Sequence, residues 1–141
     1  MLDPNFVSGV VTFIDHWDKT NRIVIPVSFD GVQILAIVDT AAPYSILAPE
    51  MADQVGIDRE TGDKADWKLS TREEKFGGWL CRVPVTLEAE EGKGIEFETT
   101  VFIPDEGWRD DANFIGLNTF LFNIRFAIDP QANLFYFGGP I

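Results

Sequence analysis

The stretch Ala36-Ile37-Val38-Asp39-Thr40-Ala41-Ala42-Pro43-Tyr44-Ser45 decides how this chain is read. A hydrophobic run ends abruptly on an acid. Behind the acid come a hydroxyl, two small side chains and a proline. An aspartate at the end of a buried strand is poorly solvated, so the fold must supply polar partners for it. Small neighbours let another backbone or a substrate come close. Thr40 offers a hydroxyl that could bond across an interface. By itself, an aspartate after a strand is also an ordinary turn residue.

Working outward, strand patterns dominate. Val7 to Ile14 is mostly β-branched or aromatic, and Arg22 to Phe29 follows the turn signal Asp18-Lys19-Thr20-Asn21. Asp30-Gly31 joins that second run to Val32–Val38 and predicts a tight hairpin, because both central positions favour positive φ. The nearly unbroken apolar end of Val32–Val38 predicts burial on both faces. Ala48-Pro49-Glu50 opens a short helix with Met51 and Val55 on one face, ended by Gly56.

Downstream, 58–66 is polar and turn-rich. Ala65 to Val85 reads as an extended arm, a polar tip (Ser70 to Gly78) and a return strand. Val83, Val85, Leu87 and Ala89 alternate with polar residues or proline, the period of a half-exposed strand. Glu91-Gly92-Lys93-Gly94 is a turn, Ile95 to Ile103 a strand and 104–112 a loop. Leu117, Phe120 and Leu121 share one face of a short helical pattern. Ile124 to Ile128 and Leu134 to Phe137 close the chain as strands. Neither repeats nor internal linkers are evident. The expectation is an all-β class with two short helices, in a single domain spanning residues 1–141.

Composition bounds the function. The net charge is −12, with 11 Lys and Arg spread along the chain, so no basic footprint for nucleic acid is present. The acidity also repels anionic membranes. No run approaches 18 apolar residues and no N-terminal export signal is seen. Cys81, the one cysteine, has no partner for an intrachain disulfide and reads as a small core residue. These features point to a reducing compartment, the cytoplasm. His16, the one histidine, lies in a polar stretch and reads as a surface residue, which leaves Cys81 without a catalytic base. No His/Cys cluster suggests zinc, Gly92-Lys93-Gly94 lacks phosphate-loop spacing, and Glu88–Glu91 with Asp105, Glu106, Asp110 and Asp111 reads as a solvated face. No cofactor is expected.

The 36–45 stretch resembles the active-site loop of the retropepsin-like aspartic proteases, whose pattern is apolar-apolar-Asp-Thr/Ser-Gly-Ala. About 75 residues later, Phe114-Ile115-Gly116, followed by Leu117-Asn118-Thr119-Phe120-Leu121, is similar to their second signature. The closing Phe126–Pro130 and Leu134–Phe137 segments look like those of single-domain bacterial members. The resemblance runs from Val7 to Gly138 and implies a retropepsin-like acid-protease fold: a closed, barrel-like half-enzyme with one or two short helices.

What this implies for function is peptide-bond hydrolysis by paired aspartates. The chain holds one such Asp-Thr, so a second copy must supply the other, in a homodimer. Asp39 would be catalytic, with Thr40, Ala41 and Ala42 supporting the site loop. Ser70, Thr71, Phe76, Gly77 and Gly78 would belong to a flap, with Trp79 as a hinge, a wall or simple core packing. The partner would be a peptide or protein substrate, with no nucleic acid and no membrane. The apolar ending Leu134 to Ile141 would permit an inter-subunit sheet.

Two departures stand out. Ala41 occupies the family's glycine position, costly at positive φ and cheap otherwise. Viral members carry an ion pair at the positions of Pro43 and Leu117, and both partners are absent here, which is milder than stranding one charge. Ala41 also motivates an alternative: a non-catalytic peptide-binding or dimerisation module on the same fold. A monomeric all-β protein with an accidental motif is the third possibility.

Overall fold

A computed structural model describes residues 6–13, 22–70, 75–105, 108 and 112–139. In chain order the strands are β1 (Gly9–Thr12), β2 (Val24–Phe29), β3 (Val32–Val38), β4 (Ser45–Ile46), β5 (Asp63–Lys64), β6 (Leu69–Ser70) and β7 (Lys75–Phe76). They continue as β8 (Gly78–Leu87), β9 (Glu91–Gly92), β10 (Ile95–Pro104), β11 (Phe114–Ile115), β12 (Arg125–Asp129) and β13 (Leu134–Gly138). Helix α1 spans Pro49–Gln54, and two single-turn 3₁₀ segments cover Arg59–Thr61 and Leu121–Asn123.

The hairpin chemistry holds. Asp30 and Gly31 have φ of 49° and 79°, and they join β2 to β3 with Phe29 opposite Val32. The burial expected for the β3 run is only half realised. Val32 and Leu35 are exposed, Leu35 by 52%, and burial on both faces begins at Ala36. An unbroken apolar run specifies a strand but not how far along it the second layer extends.

Six strands close on themselves. The ladder runs β10, β4, β11, β3, β2, β8, and β8 pairs again with β10 over ten residues. A closed barrel of this kind leaves its members few free edges. Val101, Ile103, Ile25, Val27 and Val85 fill its interior at 1% exposure or less. A second sheet, β12-β13-β1-β9, lies beside it and contributes Phe135 and Phe137 to the same core. Residues 91–94, expected as a simple turn, add a two-residue pairing of Glu91 and Gly92 with Val10 and Gly9.

The topology turns on β11. It runs parallel to β3, with Phe114 opposite Ile37 and Ile115 opposite Val38, and antiparallel to β4, with Phe114 opposite Ile46. β3 and β4 are thus two arms of a fork, and a strand from about 75 residues later slides between them. Gly116 follows this strand at a place where no side chain fits. A Cβ there would lie 2.4 Å from the Tyr44 carbonyl carbon and oxygen.

The helix expectations divide. α1 begins on Pro49 and ends before Gly56 at φ +80°. The Leu117–Leu121 pattern buries Phe120 and Leu121, but the segment is a turn leading into a 3₁₀ segment. Thr119 interrupts it at φ 62°, and its hydroxyl accepts from the Thr100 N–H at 2.7 Å and bonds the Thr99 hydroxyl at 3.0 Å. A non-glycine residue in the left-handed region needs such compensation. His16 and Ile14 lie outside the described residues.

Gly116→Ala should lower stability by about 1–3 kcal/mol, the usual range for overpacking. Chemical denaturation reads this directly; an unchanged midpoint would mean that the fork can open to admit a methyl group.

Candidate active site

The fork carries the Asp39 loop at its mouth. The Asp39 N–H donates to the Ile115 carbonyl at 2.9 Å, and the Ala42 N–H returns to the Asp39 carbonyl at 3.2 Å. The Asp39 side chain is half-buried, and its Oδ1 accepts from the Ala41 N–H at 2.9 Å. One carboxylate oxygen is therefore oriented by the backbone two residues on. Thr40 and Ala41 are exposed, while Ala42 is buried beneath them.

Ala41 is not among the described non-glycine residues with positive φ, which are Asp30, Thr119 and Asn133. The methyl group therefore sits on ordinary backbone, and the strained alternative raised by the sequence does not arise. The main chain fastens the Asp39 loop to the segment after Gly116. The Leu117 N–H donates to the Ala42 carbonyl at 2.9 Å, and the Asn118 N–H donates to the Pro43 carbonyl at 2.8 Å.

Two buried polar residues complete the fork, and the sequence reading gave neither a role. Ser45, 2% exposed, accepts the Gly116 N–H on its hydroxyl at 3.0 Å. Asn113, 4% exposed, accepts the Ala48 N–H at 3.1 Å and donates to the Leu35 carbonyl at 3.4 Å. Its own carbonyl accepts the Ile37 N–H at 2.8 Å. Buried polar side chains of this kind have their hydrogen-bonding capacity used. The only sequence signal was a lone polar residue beside each apolar motif.

The expected flap segment forms a hairpin. Leu69 pairs with Phe76 and Ser70 with Lys75, while Thr71 lies outside the described residues. Phe76 packs edge-on against Trp108, with ring centroids 5.0 Å apart. Gly77 and Gly78 follow Phe76 in the expected flap segment. Neither adopts a positive φ, and Gly78 is buried at the start of β8. Trp79 packs against the core, with the Lys64 ammonium 5.2 Å from its ring centroid. Lys64 also pairs with Asp105. The residue that joins the hairpin arm to the Asp39 loop is Trp67, which the sequence reading did not single out: its ring stacks on Tyr44 at 5.6 Å.

Cys81 is buried, and its thiol donates to the Arg59 carbonyl at 3.7 Å. Burial pushes the thiol pKa up, and the Asp58 and Asp63 carboxylates push it the same way. A thiol held protonated is a poor nucleophile.

Comparison with solved structures finds this fold similar to that of retropepsin-like aspartic proteases. A retropepsin-like aspartic protease from Rickettsia conorii superposes with a TM-score of 0.67 at 20% identity, covering 92% of this chain and 91% of that one. The retroviral protease-like domain of Ddi1 from Leishmania major gives 0.55 at 21% identity, covering 87% and 97%. No family model and no curated protein matches the sequence. The chain thus has the retropepsin-like fold, mostly β, with its closed barrel and few helical turns, as its motifs led one to expect. No described helix is long and apolar enough to cross a membrane.

Native protein should resist alkylation at Cys81 and react fully once unfolded, as mass spectrometry with a maleimide would show. Rapid labelling of the folded state would contradict the burial described for this thiol.

Proposed function

We propose that this protein is a homodimeric aspartic endopeptidase, with Asp39 and its mate from a second copy as the catalytic pair. The observation that carries this reading is the seating of Asp39. It lies at the mouth of the fork, with its main chain on Ile115 and its carboxylate turned by the Ala41 N–H, in a retropepsin-like fold. Asp39-Thr40 is the chain's single motif of this type, so a two-fold axis supplies the second carboxylate. Thr40, exposed beside it, braces the two loops across that axis. Ala41 and Ala42 form the floor, with the Phe114-Ile115-Gly116 strand beneath them. The segment that holds the flap candidates Ser70, Thr71, Phe76, Gly77 and Gly78 would supply the roof.

In the reaction, the ionised aspartate takes a proton from a water molecule as the oxygen attacks the scissile carbonyl. The protonated aspartate donates to the carbonyl oxygen. Collapse of the tetrahedral species breaks the C–N bond, and the amine leaves with a proton from the pair. An extended peptide would be held by main-chain bonds between floor and roof. The ordinary backbone at Ala41 favours this reading over a non-catalytic module. A buried free thiol suits a reducing compartment, the cytoplasm.

The dimer interface has a constraint. β13 pairs with β12 on one side and β1 on the other, so Leu134–Gly138 is already committed within its own chain. An inter-subunit sheet built on that strand would have to break an existing ladder.

Purified protein should cleave members of a peptide library at some pH between acid and neutral. Asp39→Asn should lower the rate by about 10²–10⁴-fold, the usual span for losing a general acid or base. Identical cleavage by both proteins, or none at any pH, would sink the proposal. Mixing equal amounts of wild type and Asp39→Asn should leave about a quarter of the dimers fully competent. Activity falling only to half would argue for a self-sufficient monomer.

Ala41→Gly should change kcat/KM by no more than about threefold, since the wild-type backbone is unstrained. A rise of about 100-fold or more would instead favour the binding-module reading.

A further inference from the structure

Trp67 sits in a three-ring stack. Its ring lies 5.0 Å from that of Phe102 at an interplanar angle of 22°, and 5.6 Å from that of Tyr44 at 16°. Phe102 is the anchored end. It is fully buried in β10, pairs with Ile46 of β4, and its carbonyl accepts the Leu47 N–H at 3.1 Å. Gly78 closes on the same ring, where a Cβ would come within 2.5 Å of the Phe102 Cζ. Tyr44 is the other end. It is half-buried, in the loop that carries Asp39, immediately before the Ser45 that holds Gly116.

We propose that Trp67 is a positioning residue for the Asp39 loop: its indole clamps Tyr44 against the fixed Phe102 and so sets the exit of that loop from the fork. For catalysis the proposal rests on the protease reading above; for packing it stands independently. Large, stiff rings aligned nearly parallel have few ways to rearrange, so fixing the first two fixes the third. The entry of the loop is held by Asp39 on Ile115, and its middle by Ala42 and Pro43 on Leu117 and Asn118. The stack adds a side-chain restraint at the exit. It also ties the arm leading to the β6–β7 hairpin to the floor, so arm and floor move together.

The test is a double-mutant cycle with two readouts. Trp67→Leu and Tyr44→Leu should each lower kcat/KM by about 10- to 100-fold, as a displaced site loop would. The double variant should be little worse than either single one, because both remove the same clamp. Trp67→Phe and Tyr44→Phe keep rings in place and should stay within about threefold of wild type. Amide hydrogen exchange supplies the second readout. Exchange at Ala41 and Ala42 should rise roughly 2- to 10-fold in both leucine variants, with Phe137 in the distant sheet unchanged.

If wild type cleaves no peptide, the protease reading fails, yet exchange still decides the clamp. Unchanged exchange at Ala41 and Ala42 in Tyr44→Leu would overturn the proposal. So would strictly additive losses, or a Trp67→Phe protein as damaged as Trp67→Leu. Should Trp67→Leu fail to fold, Tyr44→Leu and Trp67→Phe carry the comparison.

Discussion

The insertion of β11 between β3 and β4 is the constraint on which the rest of the structure depends. Three backbone groups of this segment fasten three parts of the opposing loop. The Ile115 carbonyl receives the Asp39 N–H, the Gly116 N–H reaches the Ser45 hydroxyl, and the Leu117 N–H reaches the Ala42 carbonyl. Remove this strand and two neighbouring arms lose their shared partner, leaving backbone groups unpaired within a buried region. The same insertion completes the barrel, because β11 is the link between β3 and β4 in the closed ladder.

Holding an acid at such a place has a structural cost that the neighbourhood offsets. Asp39 is half-buried, and the Ala41 N–H satisfies one carboxylate oxygen while leaving the group at the loop surface. The loop itself is sparsely decorated. Its contacts are main-chain bonds to residues 115–118 and the aromatic stack at Tyr44. Pro43 and Leu117 take part in that fastening through their backbone groups alone. Backbone bonds are indifferent to which side chains flank them.

Much of the fold was legible because local chemistry and global position agree in it. Asp30-Gly31 demanded a tight turn and makes one. Pro49 opens α1 and Gly56 ends it. The apolar run into Asp39 and the distant Phe114-Ile115-Gly116 motif were both visible, and together they gave the class. Elsewhere, local pattern was insufficient. The helical spacing of Leu117, Phe120 and Leu121 buries the right residues, but Thr119 adopts a left-handed conformation because Thr99 and Thr100 bond its hydroxyl. Those threonines are remote in sequence, so no window around residue 119 contains the cause.

What the sequence determined by itself was the identity of the acid, its small neighbours and the two motifs that frame it, since each depends on residue type and spacing alone. The tertiary structure decided the rest. It showed that Ala41 rests on unstrained backbone, that Ser45 and Asn113 are the polar fasteners of the fork, and that β13 is committed within its own chain. It also drew Trp67 to the site loop. The physical reason is common to all four: each depends on which distant segments meet, and a strand that threads between two others brings together residues that no local pattern relates.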